Sequence, residues 1–219
     1  MNKFIVIGAN KLAEMLSHYV EYYNRKVCCG YSVEQEYIKS DEAFNKKLVP
    51  YEQLENLYPP DEFSVLLAIG YKNMNGLRER FYNELLSRGY EIESFIHPTV
   101  HFEIGTEIGN ANIILENVNI GYRSKVGNCN IIWNGCNISH HAIIGNYNFF
   151  AASSVLAGEV HVKNNCFFGV NSAVRGATTI EDASLIGAGS YINKSTEANR
   201  VYVPGRNLCL EDKVSRDFF

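Results

Sequence analysis

Two adjacent histidines stand in the segment Asn137-Ile138-Ser139-His140-His141-Ala142. An imidazole titrates near neutrality, so it can take a proton from an attacking amine or hydroxyl and pass it on. Ile138 belongs to a run in which every sixth residue is apolar. His140, two positions later, is therefore expected to project outward. Gly158 follows His140 by eighteen residues, in Ala157-Gly158-Glu159. Eighteen is three six-residue units, so Gly158 holds the same position in its unit as His140. A surface histidine and a plain tight corner are the bland readings of the two positions.

These residues are positioned by a repeat. From Ile96 to Ile192 every sixth residue is apolar and most are β-branched, as in Ile108, Ile114, Ile120, Val126, Ile132 and Ile138. Four residues after each leading position the side chain is mostly small or of modest volume: Asn112, Val118, Ser124, Asn130, Cys136, Ala142. A period of six fits neither an amphipathic helix nor an ordinary strand, and marks a stacked repeat. Glycine often follows the leading residue, as at Gly109, Gly121, Gly127, Gly145, Gly169 and Gly187. There it lets the chain turn where a Cβ would crowd a corner. Residues 96–195 are expected to form just over five coils without an internal loop.

The segment before the repeat reads differently. FIVIG at 4–8 is a buried strand, 11–23 a helix, 26–31 a second strand and 64–70 a third. Residues 32–47 are polar and read as a loop, Tyr51–Leu54 as a short helix, and 75–88 as an amphipathic helix ended by Gly89. Alternating strands and helices predict a small α/β domain with a parallel sheet. The turn Gly8-Ala9-Asn10-Lys11 lacks the dinucleotide fingerprint. It reads either as a plain strand-to-helix turn or as part of a cleft for a nucleotide.

The repeat resembles the hexapeptide-repeat acyltransferases. In that family three hexapeptides make one triangular coil of a left-handed parallel β-helix. With the α/β segment in front, the chain resembles the sialic-acid O-acetyltransferase-like and nucleotide-amino-sugar N-acetyltransferase subfamily, which includes bacterial UDP-4-amino-sugar acetyltransferases. The resemblance implies a Rossmann-like domain at 1–95 that holds a nucleotide sugar, and a β-helix acyltransferase domain with its tail at 96–219. It implies acetyl-CoA as donor and a nucleotide-linked amino sugar as acceptor, for surface-glycan synthesis. His140 falls on the family's general base, and Gly158 on the glycine whose N–H holds the acetyl carbonyl. His141 and Ser139 stand where relatives often carry an acid. His141 is read either as a hydrogen-bonding partner of His140 or as the base itself. Gly8, Asn10, Lys11, Ser32, Gly70 and Tyr71 are expected at the nucleotide-sugar cleft, and Asn134 at the acceptor. Phe168, Gly176, Gly187 and Gly158 are expected along the CoA arm, with Arg206 among the cations near its phosphates. Trp133 and Phe149 replace residues that are often polar in relatives. The implied assembly is a homotrimer with its sites between subunits.

Composition narrows the alternatives. The net charge is -4 and no basic tract exceeds two residues, so no nucleic-acid track is expected. No stretch reaches membrane-spanning length, and Met1–Phe4 leads straight into an apolar strand. A cytoplasmic protein with neither leader nor stable membrane insertion is expected. The six cysteines lack metal-ligand spacing and read as reduced thiols. The six histidines do not gather into a three-histidine metal site, so no metal is expected. Sugar O-acetylation and a catalytically inactive hexapeptide module remain the competing functions.

Overall fold

The computed structural model describes residues 1–205. Strands β1 (Lys3–Ile7), β2 (Val27–Val33), β3 (Glu42–Ala43), β4 (Lys46–Pro50) and β5 (Ser64–Leu67) form one sheet in the order β3-β4-β2-β1-β5. All neighbours are parallel except β3 and β4. The polar stretch 32–47 therefore contains sheet as well as loop. Lys46–Pro50 pairs with the end of β2 although its alternation is weak, and a short antiparallel strand edges it. Helix α1 (Lys11–Asn24) crosses from β1 to β2 and is N-capped by Asn10, whose Oδ1 accepts from the Ala13 N–H at 3.0 Å. Helix α2 (Leu54–Leu57) is a single turn, and α3 (Gly76–Ser87) follows β5.

The two sides of this sheet bury different partners, because successive strand side chains alternate. Ile5, Ile7, Val65 and Leu67 face Phe81 and Leu85 of α3. Phe4, Val6 and Leu66 face Leu16 and Val20 of α1, and also Phe95, Ile113, Ile131 and Phe149 of the repeat. The α/β unit thus shares a core with one side of the coil stack.

From Phe95 the chain runs as two-residue strands every six residues to Ile192, and each strand through Ala173–Val174 pairs in parallel with the strand eighteen residues on. The strands gather into three sheets. Face A holds seven, from Phe95–Ile96 through Phe149–Phe150 and Leu185–Ile186 to a closing strand at Val201–Tyr202. Face B holds six, including Asn137–Ile138 and Val155–Leu156, and face C holds five, including Ile143–Ile144. This parallel β-helix, with no insertion between coils up to Ile192, fits the left-handed form expected from the sequence. The leading residues are its core: Ile120, Ile132, Phe150, Phe168, Ile180 and Ile186 are fully buried.

The corners explain the small and glycine positions. At the C-to-A corner Asn112, Asn130 and Asn148 form an internal ladder. Each side-chain amide donates to a backbone carbonyl, of Gly127, Gly145 and Lys163, at 2.8–3.0 Å. Each Oδ1 accepts the N–H one coil on, of Asn130, Asn148 and Cys166. A Cβ on Gly145 would lie 2.5 Å from the Lys163 carbonyl oxygen of the next coil, so glycine is required there.

Arg78 of α3 fastens the two parts together. It is 1% exposed. Its guanidinium donates to the carbonyls of Gly70 (2.6 Å), Tyr147 (2.7 Å), Cys129 and Asn148 (both 3.1 Å). Burial pushes its pKa down, and carbonyl oxygens rather than a carboxylate solvate the charge.

Candidate active site

His140 sits at the corner between faces B and C and is exposed, as its spacing from Ile138 predicts. The same position on successive coils reads Tyr122, His140, Gly158, Gly176 and Lys194. A Cβ on Gly158 would lie 2.5 Å from Nε2 of His140, so the imidazole occupies the space that this glycine vacates. A Cβ on Gly176 would lie 3.0 Å from the Gly158 carbonyl oxygen. The two glycines leave a furrow without side chains that starts at the Nε2 edge of His140. From the Gly158 level it climbs two coils, about 10 Å at the usual strand separation, past Gly176 to Lys194. The Gly158 N–H donates to no acceptor among the described residues. Nδ1 of His140 lies 3.1 Å from Nδ1 of His141.

A second concavity lies at the carboxyl ends of β1, β2 and β5, where the strand order reverses. Its volume is about 580 Å³, and Gly8, Asn10, Ser32, Gly70 and Tyr71 line it. Gly8 has φ 118°, and a Cβ there would lie 2.8 Å from the Ala68 carbonyl oxygen. Only glycine admits this turn at the head of α1. The Ser32 hydroxyl is fully buried in the wall and has no hydrogen-bond partner among the described residues. The sequence reading missed Glu34, Tyr37 and Lys72 in the same wall. Glu34 is held by Arg80 at 2.8 Å, and the Lys72 ammonium lies 5.5 Å from the Tyr37 ring centroid. Their signal was position just past β2 and β5, which becomes visible only once the strand ends are fixed.

The sequence matches no family model and no curated protein. Solved structures match it across nearly its whole length. PerB from Caulobacter crescentus, in complex with CoA and GDP-perosamine, is 20% identical with a TM-score of 0.82, over 93% of this chain and 94% of that one. The acetyltransferase domain of PglB from Neisseria gonorrhoeae, in complex with acetyl coenzyme A, is 16% identical with a TM-score of 0.81, over 94% and 99%. WeeI from Acinetobacter baumannii is 18% identical with a TM-score of 0.80, over 92% and 96%. The chain has their fold.

The remaining expected residues divide. Lys11 does not line the cleft; its ammonium turns outward to Glu14 at 2.8 Å and over the Phe44 ring. Position one of α1 directs it away from the strand ends. Phe168 is fully buried in the coil core, stacked on Phe150 at 4.4 Å, so its side chain cannot meet a CoA arm. It is a leading residue of the repeat; Phe167 is the outward member of that strand. Asn134 and Gly187 lie at the A-to-B corner, apart from Gly158 and Gly176 at the B-to-C corner. Arg206 and Cys209 lie outside the described residues. Phe149 is 5% exposed and packs against Phe167 and Tyr71, filling the join between sheet and coils. A second cavity of about 590 Å³ lies at the end of the stack, lined by Tyr191, Lys194 and Tyr202. Among the described residues no helix is long and apolar enough to cross a membrane, and no cluster of His, Cys, Asp and Glu could hold a metal.

Proposed function

We propose that the protein is an acetyl-CoA-dependent acetyltransferase that N-acetylates the amino group of a nucleotide-linked amino sugar, as a step in bacterial surface-glycan synthesis. The observation that carries the reading is the Nε2 edge of His140 facing a furrow kept free of side chains by Gly158 and Gly176. A thioester arm fits such a furrow, with Lys194 at the far end for phosphate. The acceptor nitrogen attacks the thioester carbonyl carbon, an N–C bond forms, and the C–S bond breaks. His140 takes the proton from nitrogen at Nε2 and returns it to the leaving sulfur. The Gly158 N–H donates to the carbonyl oxygen as negative charge grows there.

The α/β segment, residues 1–95, is assigned the nucleotide part of the acceptor, and the repeat with its tail, residues 96–219, the transfer. The polar side chains of Asn10, Glu34 and Lys72 in the cleft lining support a polar ligand there. Gly8 and Asn10 at the head of α1 suit a phosphate. Similar structures point the same way: PerB is in complex with CoA and GDP-perosamine, and a histidine-to-alanine variant of the GDP-perosamine N-acetyl transferase is in complex with the same pair.

The working unit is proposed to be a homotrimer. The cleft lies on the side of face A, where Tyr71 meets Phe149 and Phe167. In a three-faced coil the corner of faces B and C, which carries His140, is opposite face A. One chain therefore keeps its base away from its own cleft, and packing coils about a threefold axis brings one subunit's base to the neighbour's cleft. The same packing would reunite Gly176 with Asn134 and Gly187 of a neighbour.

The test is thiol release from acetyl-CoA with a panel of UDP- and GDP-linked amino sugars, with the product bond assigned by mass spectrometry. His140→Ala is expected to lower turnover by roughly 10²–10⁴-fold, the range of general-base catalysis. An ester product would make the protein an O-acetyltransferase. CoA binding without transfer to any acceptor would favour an inactive binding module.

A further inference from the structure

We propose that His141 is the positioning residue for His140, an imidazole in the role that a carboxylate commonly plays for a catalytic histidine. The proposal deepens the acetyltransferase reading and rests on it. The two Nδ1 atoms lie 3.1 Å apart, and the rings meet edge to face with centroids 5.3 Å apart. A hydrogen bond between two imidazole nitrogens needs one N–H and one lone pair. If Nδ1 of neutral His140 were the acceptor, its proton would sit on Nε2, the atom that faces Gly158. His140 could then take no proton in the furrow. The productive arrangement puts N–H on Nδ1 of His140 and the lone pair on Nδ1 of His141. When His140 gains a proton at Nε2, its Nδ1–H still points at a neutral acceptor. The proton leaves again from Nε2, so no bond to His141 is made or broken.

The fold holds His141 in place for this. Its backbone is left-handed, with φ 57°, and its N–H donates to the Tyr122 carbonyl at 2.8 Å. The Tyr122 ring meets its imidazole edge to face at 5.5 Å, and the Arg123 guanidinium lies 5.1 Å from the centroid of that ring. Arg123 and Glu159 occupy the His141 position on the coils below and above. Neither Glu159 nor any other carboxylate among the described residues comes within 4.0 Å of either imidazole, whereas His101 does pair with Glu103. The second imidazole is thus the side-chain partner of His140 Nδ1.

Three variants test the pairing: His141→Ala, His141→Asn and His141→Asp. Alanine removes the acceptor. Asparagine restores it as an amide oxygen and tolerates the left-handed backbone. Aspartate restores it with a charge. In the acetyl-CoA assay, H141A is expected to lose about 10- to 100-fold in kcat, part of the roughly 10²–10⁴-fold that a general base supplies, with KM for acetyl-CoA unchanged. H141N should recover most of the loss. H141D should move the acidic limb of the kcat/KM profile to higher pH, because a carboxylate favours the cationic ring. Equal losses in all three variants with an unmoved limb would mean that His141 only packs, and would overturn the proposal. The pairing is also read without any sugar, by NMR of histidine-labelled protein. The wild type should show His140 with N–H on Nδ1 and a lone pair on Nε2, and H141A a mixture of tautomers. An unaltered tautomer in H141A would likewise sink the pairing. Full turnover by H140A would instead bring down the assignment of the base, so the two failures are distinguishable.

Discussion

At the scale of single residues, the site is defined as much by missing side chains as by present ones. His140 can lie over the next coil only because Gly158 has no Cβ. Gly158→Ala is expected to push the imidazole aside and lower kcat/KM by about 10²-fold, the usual cost of a misplacement near 1 Å. Circular dichroism should stay unchanged, because Gly158 has no positive φ that an alanine would strain. Steady-state kinetics on the folded variant checks it. An active G158A would mean that the furrow does not serve the reaction. Gly8 offers a contrast. Its φ of 118° and the nearby Ala68 carbonyl oxygen make glycine necessary for the backbone itself.

At the scale of elements, each coil is stable because the next one completes it. The asparagine ladder shows how far this goes. Asn130 donates to the Gly145 carbonyl at 3.0 Å and accepts from the Asn148 N–H at 2.8 Å, both in the following coil. Asn130→Ala leaves the Asn148 N–H buried and the half-buried Gly145 carbonyl without their partner. A loss of about 1–3 kcal/mol is expected for the buried N–H, read as a lower urea midpoint at unchanged m. Helix α1 is tied to the stack in a pH-dependent way. The Tyr19 hydroxyl donates a short hydrogen bond to Glu116. That bond, helped by burial, raises the Tyr19 pKa to about 12. Burial pushes the Glu116 carboxyl up, but the bond from Tyr19, a backbone N–H and His97 outweigh it, so its pKa lies below the usual value. A depressed carboxylate stabilises the fold above its unfolded pKa, and that stability is lost as pH falls through the folded value. The raised phenol contributes below its unfolded pKa of 10.0 and loses that contribution as pH rises toward about 12. Tyr19→Phe should therefore flatten the loss of melting temperature at both ends of the pH range. An unaltered profile would remove the coupling.

At the scale of the whole molecule, the proposed trimer would cover surfaces that one chain leaves exposed. Face A is covered by α1 and the sheet, while faces B and C leave Val155, Tyr191 and Ile143 exposed at 40%, 63% and 44%. Light scattering is expected to give three times the 24.7 kDa of one chain. A monomer with full transferase activity would overturn the shared site. Calorimetry should show CoA binding to the trimer, weakened in Gly176→Leu, which blocks the furrow above His140.

The sequence by itself determined the repeat, its extent and its inward residues, because a six-residue period places every leading side chain at the same point of a coil. It determined that His140 points outward, since that follows from counting along the period; with three units to a coil, as the resemblance implies, the same count places Gly158 beside it. The resemblance supplied roles that counting could not. Tertiary structure alone decided the rest. Phe168 is a leading residue that the period already turns inward; the stack seals it against Phe150 and so removes the CoA contact that the resemblance implied for it. Lys11 follows two cleft residues in sequence but turns to Glu14, because the first turn of α1 sets its direction. Lys46–Pro50 became a strand through pairing with β2, a contact that a polar composition does not announce. The orientation of His141 toward Nδ1 of His140 depends on a left-handed corner and on the Tyr122 carbonyl one coil below. A linear pattern records period and side-chain type; the direction of an outward side chain is set by what the neighbouring coil places next to it.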